Sequence, residues 1–178
     1  MREKQLDYFE NTRRAAYVQR EYSARNPREF AGYDTSCWGF SAGDGPSDER
    51  PEVANEERRL LGYAARGAPY GPDDGTLCPS AVLAALPFAP EIVIPTVRAM
   101  IERYPEILRE GRLTSGLNPS AASTDGRPWV SPGHYGLDQG IVVMMIENHR
   151  SGLTWNLMRD CPYVVAGLRR AGFIGGWL

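Results

Sequence analysis

The chain has 178 residues, of which 42% are hydrophobic and 24% charged, so one domain with a hydrophobic core is expected and wholesale disorder is excluded. Its 20 basic and 22 acidic residues leave a net charge of −2, which gives no strong field to attract nucleic acid or an acidic membrane surface; a neutral partner fits better. No apolar stretch approaches the roughly 20 residues that span a bilayer. The first residues lack the apolar core of an export signal, which leaves the location open.

The first half of the chain is predicted to hold one long helix followed by loops. Helix-favouring residues from Glu3 to Arg25 predict a helix that Asn26-Pro27 ends. A loop rich in glycine, proline and aspartate follows, from about Pro27 to Pro51. The charged stretch from Glu52 to Leu61 is expected to form a short exposed helix, and a second glycine-rich loop runs from Gly67 to Pro79.

The second half is predicted to be mostly helical. Residues Ser80 to Tyr104 favour two helices with a break near Pro87 to Pro90. A long polar connection from Gly111 to Gly136 precedes a helix from Leu137 to Arg150 that is apolar on nearly every side, which is typical of a helix buried between others. Two further helices are expected at Leu153 to Arg159 and Tyr163 to Arg170. The pattern predicts an all-α fold whose long loops form a cleft at one end of a helix array.

The first loop places an aromatic side chain near a carboxylate. Trp38 offers a flat apolar face that matches the CH face of a sugar ring, and Asp44 can bind hydroxyl groups or transfer a proton. On the local pattern alone, a tryptophan that anchors a turn and an ordinary Asp-Gly-Pro turn are the commoner explanations. The loop therefore suggests a glycan subsite without requiring one.

The second loop carries two adjacent carboxylates, Asp73 and Asp74. They could bind a cation or a polar ligand, but two acids alone make a poor calcium site, and an aspartate or threonine here more often forms a turn and caps the next helix. No zinc-ligand, nucleotide-binding or serine-hydrolase spacing is present, so no metal and no cofactor is predicted. Cys37, Cys78 and Cys161 are expected to be buried thiols, with one bridge left open.

The third loop leads into the apolar helix. Asp138 stands where an N-cap is expected. Glu147 follows an apolar run, and because a buried carboxylate is costly unless it is paired, we expect an ion pair with an arginine such as Arg150. At about 100° per residue, Asp138 and Glu147 lie on opposite sides of the helix, so they are not expected to act as a catalytic pair.

Taken in order, seven stretches of the chain resemble the bacterial glucoamylase-like domain family, which includes endo-acting enzymes on β-1,2-glucan. The stretches are DYFENTRRAA, CWGFSAGDGP, YAARGAP, DDGTLCPSA, LPFAPEIVIPTVRAM, YGLDQGIVVMMIENHRSGLTW and GLRRAGF. The resemblance implies a partial (α/α)6 toroid with long loops at one rim, and it implies that residues 1–178 form the C-terminal half of a family domain. Family members are commonly periplasmic or exported.

The resemblance also implies residue roles. Asp44 would be the catalytic carboxylic acid, and its partner carboxylate would come from the other half of the domain. The residues implied in substrate binding are Trp38, Tyr70, Asp74, Trp129, Asp138, Gln139 and Glu147. Each of these positions falls in the cleft or on the inner ring of the family.

The complete parent is expected to hydrolyse a bacterial glucan, with β-1,2 linkages as the candidate and an oligo- or polysaccharide as partner, while the isolated chain should be inactive. An alternative is a non-catalytic glycan-binding or subunit-like module, and a third is a product that does not fold alone. Half a ring would expose apolar inner faces, which predicts either a complementary N-terminal half as partner or self-association.

Overall fold

The computed structural model describes residues 2–3, 6–47, 59–176 and 178, and this part of the chain is mostly helical, as predicted. The described residues form six α-helices: α1 (Tyr8–Arg25), α2 (Pro79–Ala84), α3 (Pro90–Arg103), α4 (Gly136–Arg150), α5 (Leu153–Arg159) and α6 (Pro162–Arg170). Within the described ranges, no helix is both long enough and apolar enough to cross a bilayer. The partial (α/α)6 toroid stays a prediction.

Nine two-residue strands join the loops of the described chain: β1 (Arg2–Glu3), β2 (Leu6–Asp7), β3 (Ala42–Gly43), β4 (Ala64–Ala65), β5 (Leu108–Arg109), β6 (Arg112–Leu113), β7 (Leu117–Asn118), β8 (Trp129–Val130) and β9 (Phe173–Ile174). They pair antiparallel in the order β2-β1-β9 and as the pairs β3-β4, β5-β6 and β7-β8. In β7-β8, Leu117 lies opposite Val130 and Asn118 opposite Trp129. The strands are too short to form a layer, and they hold loops together instead.

The first helix begins at Tyr8 rather than at Glu3, so the predicted start was wrong. The residues before it pair as strands, and the side chain of Asp7 accepts a hydrogen bond from the backbone N–H of Glu10 at 3.1 Å, which caps the helix. The predicted end is confirmed, because Asn26 adopts a left-handed conformation with φ of 43°.

The break between α2 and α3 is confirmed, and each of these helices has proline in its first turn, where a missing N–H costs nothing. Pro95 lies inside α3 without ending it. The predicted helix over the charged stretch falls mainly on residues 52–58, outside the described residues. The part that is described there, residues 59–61, is not helical.

The main hydrophobic core lies where α1, α2 and α3 meet the loops. Its largest fully buried apolar side chains are Trp38, Leu77, Met100, Ile107, Leu117, Val82 and Val93. A smaller cluster joins Leu60, Ala121 and Trp129. Several core residues therefore come from the loops, so the long loops are packed segments with fixed positions.

The last three helices leave much apolar surface uncovered. The bounds predicted for α4 are confirmed to within a residue, but the expectation that it is buried on nearly every side was wrong for this chain. Leu137 is 79% exposed and Val143 65%, whereas Val142 and Asn148 are buried. α4 packs on α2 and also contacts α5, while Leu137 and Val143 on its remaining surface stay exposed within the described chain. Further along, Leu157 and Tyr163 are exposed as well.

Candidate functional site

Asp44 follows β3 in a loop with glycine on both sides, and both glycines are required by close packing. A Cβ atom at Gly43 would lie 2.6 Å from the Cys78 sulfur, and one at Gly45 would lie 2.2 Å from an Arg66 guanidinium nitrogen. Neither position has room for a side chain. The backbone that carries Asp44 is therefore held between Cys78 and Arg66.

A segment of chain about seventy residues later holds the backbone of Asp44 from the other side. The Asp44 N–H donates to Ser115 Oγ at 3.3 Å, and the Asp44 carbonyl oxygen would lie 2.1 Å from a Cβ at Gly116. Only glycine allows this close approach. The segment Leu113–Gly116 thus fixes the backbone position of Asp44.

The Asp44 carboxylate itself is oriented by Ser131. Ser131 Oγ donates to Asp44 Oδ2 at 2.6 Å, and the backbone N–H of Ser131 donates to the Gly116 carbonyl at 2.9 Å. Ser131 is fully buried, while Asp44 is partly exposed. The arrangement presents a pre-oriented carboxyl group at a surface that solvent reaches.

The start of α4 meets the same segment. Gln139 Nε2 donates to the Leu113 carbonyl at 2.7 Å, and His134 Nδ1 lies 3.0 Å from the same oxygen. A carbonyl only accepts, so His134 carries a proton on Nδ1. Asp138 does not cap α4, contrary to prediction. The cap residue is Tyr135, without a side-chain bond, and Asp138 lies in the first helical turn, where a negative charge is favourable.

The two tryptophans assigned to substrate binding are both buried. Trp38 is 0% exposed, and its indole N–H donates to Thr96 Oγ1 at 2.9 Å. Its role as a sugar platform was wrong for this structure, because neither face of the ring reaches the surface. Trp129 is 8% exposed and packs against Leu60 and Ala121, with its ring next to Gly116. Trp129 therefore lies beside Asp44 and leaves only a small part of its surface accessible.

Asp74 belongs to a buried ion pair. Arg66 Nε donates to Asp74 Oδ1 at 2.7 Å and Nη2 donates to Oδ2 at 2.8 Å, with both side chains essentially unexposed. Arg66 also donates to the carbonyl oxygens of Gly43 and Gly62. The assignment of Asp74 to a substrate subsite is corrected accordingly: its oxygens hold the loop behind Asp44.

Burial disfavours the ionised form of Asp74, but the hydrogen bonds and positive charge of Arg66 outweigh burial and hold the pKa of Asp74 below its usual value. Bonds from Thr76 and from the backbone N–H of Leu61 act in the same direction. The neighbouring Asp73 accepts from the hydroxyl groups of Tyr22 and Tyr33. The predicted helix cap by this loop was wrong, since Cys78 precedes α2 without a side-chain cap.

Acid is expected to destabilise the protein through Asp74. Because its pKa is lower in the folded than in the unfolded chain, its ionised form contributes stability that is fully present above the unfolded pKa of about 3.9 and is lost as the pH falls through the lower folded value. Urea unfolding between about pH 7 and pH 2.5 measures this loss. Asp74→Asn should be less stable at neutral pH with a flatter acid profile; a profile as steep as that of the parent would contradict the assignment.

The three cysteines are free. Cys37 and Cys78 are buried as predicted, whereas Cys161 is only partly buried, so the prediction was wrong for Cys161. Burial raises the pKa of Cys37 to about 12 and that of Cys78 to about 11, although Arg66 opposes the second shift. Both thiols are therefore protonated at neutral pH. A protonated thiol is a poor nucleophile, so their role is packing.

Among the described residues, neither Tyr70 nor Glu147 has a hydrogen bond or an ion pair to the Asp44 cluster. Tyr70 is 98% exposed, with its ring in solvent. Glu147 lies nine residues along α4 from Asp138, a rise of roughly 13 Å. It pairs with Arg150 at 3.5 Å, which confirms the expected ion pair, and accepts from Ser151 Oγ at 2.6 Å. The structure thus gathers Asp44, Trp129 and Gln139 around residues 113–116, with Asp138 next to Gln139 in the first turn of α4. Glu147 lies further along the same helix.

Sequence reasoning missed the residues that hold Asp44 in place. Ser115 and Ser131 are 71 and 87 residues from Asp44 in the chain, and neither stands in a recognisable motif. The residues next to Arg66 in the sequence give no sign that its side chain is buried, so an exposed arginine would be expected there. The available signal was the glycine on each side of Asp44, which indicates close packing at that point.

Comparison with known families gives one match over most of the chain. The Glycoamylase family model, described as "Putative glucoamylase", matches residues 2–162. A curated relative, the exo β-1,2-glucooligosaccharide sophorohydrolase (non-reducing end) of Parabacteroides distasonis, is 29% identical over 169 residues, which is 94% of this chain and 21% of that protein. The chain therefore spans about a fifth of the length of this relative.

Solved structures also match nearly all of this chain but only part of their own length. A structure from Bacteroides uniformis with the same glucoamylase description is 31% identical, with a TM-score of 0.80, and covers 99% of this chain and 38% of that chain. The endo-β-1,2-glucanase of Chitinophaga pinensis, solved in complex with sophorotriose and glucose, is 27% identical with a TM-score of 0.78 over the same shares. The chain is similar in fold to well under half of each solved protein.

Proposed function

Because the chain belongs to the Glycoamylase family, we propose that it supplies the Asp44-bearing part of a glycoside hydrolase domain that acts on a β-1,2-linked glucan. The observation that carries the proposal is the pre-oriented carboxyl of Asp44, fixed by Ser115, Gly116 and Ser131. Relatives named for β-1,2-glucan hydrolysis match nearly the whole chain and support the substrate class.

In the proposed mechanism Asp44 is the general acid. It protonates the glycosidic oxygen as the bond to the anomeric carbon breaks, and a second carboxylate activates water or attacks the anomeric carbon. That second carboxylate would come from the part of the domain that this chain does not cover. Its distance from Asp44 would set the outcome: about 5–5.5 Å gives retention of configuration, and about 6.5–9.5 Å gives inversion.

Substrate contacts are assigned by position around Asp44. Gln139 and Asp138 stand at the start of α4 beside the Leu113–Gly116 segment, where amide and carboxylate groups can bind sugar hydroxyls. Tyr70, with its ring in solvent, is assigned to a more distant subsite where it would stack on a sugar. Glu147, held by Ser151 and Arg150, is assigned to the inner face of the assembled domain.

The substrate class is tested with the assembled domain, meaning this chain together with the complementary part of a family domain. It should release reducing ends from β-1,2-glucan and leave β-1,3- and β-1,4-glucans largely intact. Binding of oligoglucans without turnover, seen by calorimetry, would instead favour a non-catalytic glycan-binding module. Hydrolysis of the other linkages alone would contradict the proposed substrate.

We further propose that the exposed apolar residues of α4 to α6 are covered by the complementary part of the domain. Leu137 and Val143 are exposed on α4, Leu157 on α5 and Tyr163 on α6. Scattered surface apolar residues do not account for exposure on three consecutive helices. The chain corresponds to 38% of the solved relatives, so more than half of each relative has no counterpart here to cover that surface.

The chain on its own is therefore expected to self-associate. Sedimentation should show concentration-dependent oligomers that are replaced by one defined complex when the complementary part is added. Leu137→Gln with Val143→Gln should weaken the self-association, whereas Tyr63→Gln, which changes an exposed ring on a loop outside α4 to α6, should not. If the chain alone sediments as a monomer at all concentrations, the proposal that α4 to α6 expose a surface that needs a partner is contradicted.

A further inference from the structure

We propose that Ser131 is a positioning residue which keeps the proton of Asp44 on Oδ1, so that Oδ1 is the oxygen that gives a proton to a substrate. The inference rests on the proposed function of Asp44 as the general acid. Ser131 contacts Asp44 directly and would affect the reaction by aligning that carboxyl group.

The hydrogen bonds of the Ser131 hydroxyl define the direction of its proton. The Gly133 N–H donates to Ser131 Oγ at 3.3 Å, which uses a lone pair of the hydroxyl. The hydroxyl proton then points to Asp44 Oδ2, 2.6 Å away. Among the described residues, Asp44 Oδ2 is the acceptor to which the Ser131 hydroxyl donates.

A proton on Oδ2 would conflict with this arrangement. With both oxygens protonated, two O–H groups would face each other across 2.6 Å. To avoid this clash, the Ser131 hydroxyl would have to rotate and direct its proton into the protein interior. Ser131 is fully buried, so no solvent would receive that proton, and a buried donor without an acceptor is costly. The arrangement therefore disfavours the proton on Oδ2 and favours it on Oδ1.

The geometry of the pair is fixed by a shared support. Gly116 accepts from the Ser131 N–H at 2.9 Å and also packs directly against the Asp44 carbonyl. Ser131 and Asp44 are thus attached to the same residue from two sides. This keeps Oδ2 directed at Ser131 and turns Oδ1 away from it, as a general acid with one defined donor oxygen requires.

A kinetic comparison in the assembled domain tests the role of the hydroxyl. Ser131→Ala should lower kcat on β-1,2-glucan about 10- to 100-fold, the range for a hydrogen bond to a charged group, with little change in KM. Ser131→Thr, which keeps the hydroxyl, should restore most of kcat. Ser123→Ala removes an exposed hydroxyl and is the matched control, with parental activity expected. A loss that appears in KM alone, or an unchanged kcat in Ser131→Ala, would overturn the inference.

Neutron diffraction of the chain in deuterated solvent tests the proton position without any activity. In a crystal acidified until Asp44 carries a deuteron, we expect that deuteron on Oδ1 and the Ser131 deuteron between Oγ and Oδ2. A deuteron on Oδ2 overturns the inference whatever the enzyme does. Failure of the proposed function would show differently, as undiminished hydrolysis when Asp44 is replaced.

Discussion

Asp44→Asn in the assembled domain should reduce kcat on β-1,2-glucan at least about 100-fold, the usual minimum for loss of a general acid. The substitution removes the transferable proton while keeping the size of the side chain. The asparagine carbonyl oxygen can still accept from Ser131, so the loop should keep its position. Reducing-end release at saturating substrate, together with calorimetric binding of an oligoglucan, measures turnover and affinity separately.

The matched control is Asp125→Asn, which makes the same chemical change on an exposed carboxylate in the loop between β7 and β8. It should retain parental turnover. Binding that survives in Asp44→Asn would show that the substitution removes chemistry and leaves the site intact. If Asp44→Asn turns over substrate at the parental rate, Asp44 is not the acid.

Arg66→Ala should cost about 3–5 kcal/mol of unfolding free energy, because it leaves the buried carboxylate of Asp74 without its partner. Its donors to Gly43 and Gly62 are lost in the same step, so the loop that carries Asp44 should loosen as well. Arg66→Lys should have an unfolding free energy between those of Arg66→Ala and the parent, because an ammonium group keeps the charge but lacks the forked donors of a guanidinium group. Urea unfolding followed by circular dichroism measures the difference.

Arg25→Ala is the control for this prediction. Arg25 pairs with Glu21 at 2.8 Å on the exposed side of α1, a contact worth less than about 1 kcal/mol. A loss in Arg66→Ala no greater than that in Arg25→Ala would mean that the buried pair contributes little. A hydrolysis rate that stays at the parental value in Arg66→Ala would mean that Gly43 does not need this support.

The helices were predictable because their signals are local. Proline at Pro90 and Pro162 marks two helix starts, and the apolar run of α4 gives its length directly. The start of α1 was not predictable, because the residues before it are drawn into strand pairing with the end of the chain at Phe173–Ile174. That contact joins opposite ends of the sequence.

The site was predictable only in its central residue. The motif around Asp44 indicated a carboxyl in a cleft, but its environment depends on Ser115 and Ser131, which are distant in the chain. Trp38 resembled a surface platform because it lies in a glycine-rich loop. In the structure it packs in the main core and its indole N–H donates to Thr96 in α3, a partner that no spacing in the loop could reveal.

The central claim is that the Asp44 carboxyl meets the glycosidic oxygen of a β-1,2-glucan. A crystal structure of the assembled domain with bound sophorotriose measures this distance directly. We predict Asp44 Oδ1 within about 2.6–3.2 Å of a glycosidic oxygen, directly or through one water. A sugar bound on another surface, with the Asp44 carboxyl facing solvent alone, would contradict the claim.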